Sequence, residues 1–128
     1  MANAKPVGIS KIGQIAMPVD DVARATAFYR DVLGMKFLFD APGMAFFDLS
    51  GVRLMLAAPE KPEFRSMASI LYYAVDDIEA ICAAIEKADV EFEAKPHAVH
   101  KTPEMELWMA FLRDSEDNLL ALMCEKKL

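Results

Sequence analysis

Ile15-Ala16-Met17-Pro18-Val19-Asp20-Asp21-Val22 returns later in the chain as Leu71-Tyr72-Tyr73-Ala74-Val75-Asp76-Asp77-Ile78. Each copy is an apolar, strand-like run that ends in Val-Asp-Asp and passes into a helical pattern. In the first copy Asp20 or Asp21 is placed to accept the orphan N–H groups of a helix start. Val22, Ala25, Phe28, Tyr29, Val32 and Leu33 then form one apolar stripe, and Gly34 stands where a left-handed residue ends the helix. In the second copy Asp76 or Asp77 takes the capping role, and Ile78, Ile81, Cys82 and Ile85 carry the stripe. Asp89 occupies the stop, tolerating the left-handed region better than most residues.

Three strand candidates follow each helix. The first set is Met35–Asp40, Met44–Leu49 and Val52–Ala57, divided by turns at Ala41-Pro42-Gly43 and Ser50-Gly51. The second is Val90–Ala94, Glu106–Arg113 and Leu119–Glu125, with a turn over Asp114–Asn118. The hairpin ends match as well: Gly51-Val52-Arg53-Leu54-Met55-Leu56 aligns with Asp117-Asn118-Leu119-Leu120-Ala121-Leu122. The chain is therefore expected to be one α+β domain of two βαβββ modules, about 10–58 and 68–126, joined by a linker over 59–67. Each module would curl a mixed sheet against its helix. The uncovered sheet faces stay apolar, with Met55, Ile70, Tyr72, Met109 and Met123 as candidates, and two such faces can cup a cavity.

At 128 residues, 55% hydrophobic and 27% charged, the chain has the size and composition of one globular domain. A net charge of −6 works against nucleic acid and anionic membrane surfaces, both of which reward clustered Lys and Arg. No stretch reaches the eighteen or so apolar residues of a membrane span, and Met1–Ser10 lacks a long apolar run. The two cysteines, Cys82 and Cys124, have no CxxC or metal-ligand spacing and read as reduced core residues. A cytoplasmic protein is expected.

Val19-Asp20-Asp21 through Phe28-Tyr29-Arg30-Asp31-Val32-Leu33-Gly34 resembles the first-module signature of the vicinal oxygen chelate superfamily: glyoxalases, bleomycin-resistance proteins, extradiol dioxygenases and epimerases. Phe111-Leu112-Arg113-Asp114-Ser115-Glu116-Asp117-Asn118 resembles its final hairpin, with Ser115 in place of proline and Asp117 in place of glycine. Catalytic members hold a divalent ion with His, Gln or Glu side chains, and the resemblance puts those four positions at Gln14, Met55, Ile70 and Ala121. Isoleucine, alanine and a thioether cannot hold such an ion, and one amide oxygen is too little. No metal cofactor is expected.

Other polar residues keep competing readings. His97 and His100, within Pro96–Pro103, would serve as acid or base at a cavity mouth, would build a displaced metal site with Glu104 and Glu106, or are solvated loop residues. Gln14 would orient a substrate carbonyl or be satisfied by a neighbour. Arg53 shares a face with Met55 and Ala57 by alternation, so it would meet an anionic ligand group or pair with a surface carboxylate. Trp108 is the candidate aromatic wall of the cavity. No G-x-S-x-G, P-loop or G-x-G-x-x-G is present. By the resemblance, the expected function is metal-free binding of a small apolar or aromatic molecule by Gln14, Arg53, Met55, Ile70, Tyr72, His97, Trp108, Ala121 and Met123, in a homodimer. The alternatives are a glyoxalase-like lyase or isomerase using His97 or His100 with Gln14, with or without a divalent metal at a non-standard site, and a plain dimer interface with no ligand.

Overall fold

The computed structural model describes residues 6–59, 61–66 and 69–128. Residues 60, 67 and 68, where the expected linker and second module meet, lie outside them, as do residues 1–5. Module one runs β1 (Gln14–Pro18), α1 (Val22–Ala27), β2 (Lys36–Ala41), β3 (Met44–Leu49) and β4 (Val52–Ala57). A short 3-10 turn spans Pro62–Ser66. Module two runs β5 (Leu71–Ala74), α2 (Ile78–Glu86), β6 (Phe92–Lys101), β7 (Met105–Arg113) and β8 (Leu119–Lys127). The sheets have the same order, β1-β4-β3-β2 and β5-β8-β7-β6, with one parallel pair each and neither sheet closed.

The helix starts form as the aspartates require. Asp21 accepts the Arg24 amide at 3.0 Å and Asp77 accepts the Ala80 amide at 3.1 Å, so the second aspartate of each pair is the cap. After Ala27 the first helix widens into a π-type turn over Phe28–Val32, with the Leu33 amide donating to the Phe28 carbonyl. Gly34 ends it at φ 69°, and Asp89 ends the second helix at φ 62°.

One face of each sheet packs on its helix. Met17, Val19, Ala45, Phe47, Leu54 and Leu56 bury against Ala25 and Tyr29 in module one. Ala110, Leu112, Leu120, Leu122 and Cys124 bury against Ile78, Cys82 and Ile85 in module two. Phe28 and Leu33 touch both cores and so belong to the junction. Burial pushes the Cys82 thiol up to about 11, away from the thiolate range.

The sixth strand departs from expectation. The expected strand is Val90–Ala94, yet β6 runs from Phe92 to Lys101 and carries Pro96, His97 and His100 within it. β6 is an edge strand, where a proline's missing N–H costs no ladder bond, and irregular register around Ala94, His97 and His100 accommodates it.

Candidate functional site

The uncovered face of module one is ordered in rows across the strands. Pairing β2, β3, β4 and β1 in register gives Lys36, Asp48, Arg53 and Gln14 as one row. The next row is Phe39, Phe46, Met55 and Ala16, and the last is Ala41, Met44, Ala57 and Pro18. Phe39 and Phe46 stack at 4.6 Å between ring centroids, and the Arg53 guanidinium lies 5.6 Å from the Phe46 centroid. Phe39 stays half exposed while Phe46, between its neighbours, is 7% exposed. Gln14 opens β1 and is exposed. Its Nε2 approaches the Met55 sulfur at 3.9 Å, which joins the two former ligand positions of this module.

The matching face of module two is apolar throughout its centre. Tyr72 pairs with Ala121, and Ala121 with Phe111; Met123 pairs with Met109. Tyr72 and Phe111 meet edge-to-face at 5.9 Å, while Ala121 between them is fully buried. Ile70 precedes β5 and is 44% exposed. Ala16 pairs with Met55 as Tyr72 pairs with Ala121, so the internal alignment of the two modules holds in the hydrogen-bond register.

The histidines lie on this same face at the sheet edge, opposite Met109 and Leu107. His97 Nδ1 donates to the Lys95 carbonyl at 2.7 Å. Glu106 is on the opposite face. It accepts the Trp108 indole N–H at 2.9 Å and faces Lys101 at 3.4 Å, and these donors, the indole first, hold its carboxyl below the usual carboxylate range. A replacement metal site of His97, His100 and Glu106 is thereby split by the sheet. Among the described residues no three His, Cys, Asp or Glu side chains gather as metal ligands would. The donors at the four positions the fold would use are one amide and one thioether, which do not fit a divalent ion.

Trp108 also falls away from the expected cavity. It belongs to the alternate row with Ala110 and Leu112, packs on the α2 core, and is capped by the Lys126 ammonium 3.8 Å from its ring centroid. The aromatic on the open face of β7 is Phe111.

The hairpin after β7 is more than a turn; it is the clamp between modules. Glu116 is buried and accepts the Asp20 and Asp21 amides at 2.9 and 2.8 Å and Arg24 Nε at 2.6 Å. Burial works to raise its pKa, but these donors prevail and bring it to about 2. Asp114 accepts the Tyr29 hydroxyl at 2.6 Å, and Asn118 donates to the Pro18 carbonyl at 3.0 Å. Arg65 joins Asp20, Asn118 Oδ1 and the Glu116 carbonyl. The one signal in the sequence is a run of polar residues, Asp114 to Asn118, inside an apolar hairpin. A groove of about 490 Å³ opens at the junction of the modules, lined by Ile15, Leu33, Val52, Tyr72, Tyr73 and Ile85 among others and by no charged residue.

The sequence profile of the glyoxalase/bleomycin resistance protein/dioxygenase superfamily matches residues 11–122. The chain belongs to that superfamily. No curated protein matches it. Among solved structures of the glyoxalase superfamily fold, the antibiotic binding protein TnmS3 from Streptomyces sp. CB03234 superposes with a TM-score of 0.71 at 24% identity, covering 91% of this chain and 97% of that one. Lactoylglutathione lyase from Agrobacterium tumefaciens does so with a TM-score of 0.70 at 23% identity, covering 91% and 94%. An integron cassette protein from the mobile metagenome of V. Pseudocholerae gives 0.77 at 20% identity, covering 94% and 98%. These likenesses show the glyoxalase-superfamily fold and leave the chemistry to the residues. No helix among the described residues is long and apolar enough to cross a membrane.

Proposed function

We propose that this chain binds a small, largely apolar or aromatic organic molecule against the open faces of its two sheets and does so without a metal. The observation that carries this reading is the composition of those faces. Phe39, Phe46 and Met55 in one module and Tyr72, Phe111, Met109 and Met123 in the other offer adaptable apolar area. The four positions where the fold would hold an ion offer it almost nothing. An antibiotic binding protein among the structural relatives agrees with a sequestering role.

The same reading has two copies pairing as a homodimer, since Leu38, Phe39, Ile70 and Tyr72 leave 41–47% of their surface in water. It places the protein in the cytoplasm, where the free Cys82 and Cys124 remain reduced. A lyase or isomerase reading has less behind it, because His97 and Gln14 stand on different sheets and Glu106 on a third surface.

Thermal shift tests this directly. Aromatic solutes at millimolar concentration are expected to raise the melting temperature, and Met55→Glu is expected to remove the rise. Divalent ions are expected to leave it unchanged. A stoichiometric divalent ion retained through purification, with stabilisation by that ion alone, would overturn the reading.

A further inference from the structure

Within this binding reading, on which the inference rests, we infer that the ligand is anionic, a flat aromatic molecule bearing a carboxylate or a similar acid, held at its charged end by Arg53. Arg53 lies near the start of β4, an interior strand with β1 and β3 on either side. The chain carries 20 acidic residues against 14 basic ones, yet no carboxylate pairs with the Arg53 side chain among the described residues. Its cross-strand neighbour Asp48 is instead turned to the Gly51 amide at 3.0 Å. The row then holds Lys36, Asp48, Arg53 and the neutral Gln14, a balance of one positive charge at one end of an aromatic surface.

Geometry narrows the ligand further. The guanidinium lies over the Phe46 ring, so the side chain runs along the apolar row and stays exposed to solvent. A ring laid on the exposed Phe39 and the partly exposed Met55, with Phe46 buried beneath, would bring an acid substituent to the guanidinium's fork of donors, with the Gln14 amide beside it. A carboxylate accepts two parallel N–H bonds from such a fork, whereas a primary amide of the same shape offers one acceptor and no charge. In module two Leu119 stands where Arg53 does, and the arginine of that row, Arg113, is already paired with Glu93.

The experiment compares 2-naphthoate with 2-naphthamide, which share shape and differ in charge, by amide chemical-shift titration of the isotope-labelled chain. Naphthoate is expected to bind about tenfold more tightly, with the largest shifts around Phe46, Arg53 and Met55. In Arg53→Met that preference is expected to vanish while amide affinity stays, and Arg53→Lys is expected to keep part of it. Arg30→Met removes an equal charge elsewhere and is expected to keep it all. Equal binding of acid and amide to the native chain would overturn the inference and leave the binding reading standing, as would a preference that survives Arg53→Met. Binding of neither probe would remove both.

Discussion

The two modules share a plan but do not complete it alike. α2 begins under its own cap, Asp77, and its core is filled by residues of module two together with Phe28, Val32 and Leu33 at the junction. α1 also has its aspartate, but the two amides that precede its first turn are met by Glu116 from the other module. Among the described residues nothing in module one returns the favour, since Ser50 and Gly51 occupy the hairpin position of Glu116 and Asp117. The repeat therefore supplies two equal sheets and one unequal seam. A seam made of buried polar groups is costly to break, because each orphaned donor keeps its full desolvation penalty.

Removing the seam's central carboxylate is the strongest way to break this asymmetry. Glu116→Ala is expected to cost about 3 kcal/mol in urea unfolding, whereas Asp77→Ala, a single cap on an exposed start, is expected to cost about 1 kcal/mol. Equal losses would mean that module one caps itself. Acid probes the same group without mutation. The folded pKa of Glu116, about 2, lies below its ordinary 4.5, so its contribution is whole above pH 4.5 and disappears as pH falls through 2. A loss of order 2 kcal/mol across that window is expected, and Glu116→Gln should flatten it.

Two tyrosines sharpen the comparison. Tyr29 donates to Asp114 in the seam, whereas the buried Tyr73 hydroxyl has no partner among the described residues. Burial and the Asp114 charge raise the pKa of both, so each is a neutral phenol throughout the accessible range. Tyr29→Phe is expected to cost about 1.5 kcal/mol, and Tyr73→Phe to be neutral within about 0.5 kcal/mol. The smallest effect concerns the helix stops. Gly34 supplies its left-handed turn freely, while Asp89 holds φ 62° as an L-residue, so Asp89→Gly should raise stability by about 0.5 kcal/mol.

Much of this fold was legible because its signals are local. Val-Asp-Asp before a stripe of 3.6-residue period, and glycine or aspartate after it, require only neighbouring residues to act. The parallel register that pairs Ala16 with Met55 and Tyr72 with Ala121 follows from aligning the chain with itself. What escaped depends on partners far away or on strand parity. Pro96 reads as a strand breaker until β6 is known to be an edge. Trp108 and Phe111 are interchangeable as pocket aromatics until the register decides which row faces α2. Glu116 resembles any turn carboxylate, since its donors at Asp20 and Asp21 are 96 and 95 positions away.

That separation has a consequence in time. A contact spanning 95 positions must wait for most of the chain to be made and gathered, whereas Asp77 finds the Ala80 amide three positions on. As the chain leaves the ribosome, the start of α1 stays frayed after its sheet has paired and closes only when the β7–β8 hairpin arrives. In pulse-labelled exchange during refolding, the Asp20 and Asp21 amides should gain protection together with Asn118 and later than Ala80. The earliest helix in the chain is thus the last to be finished.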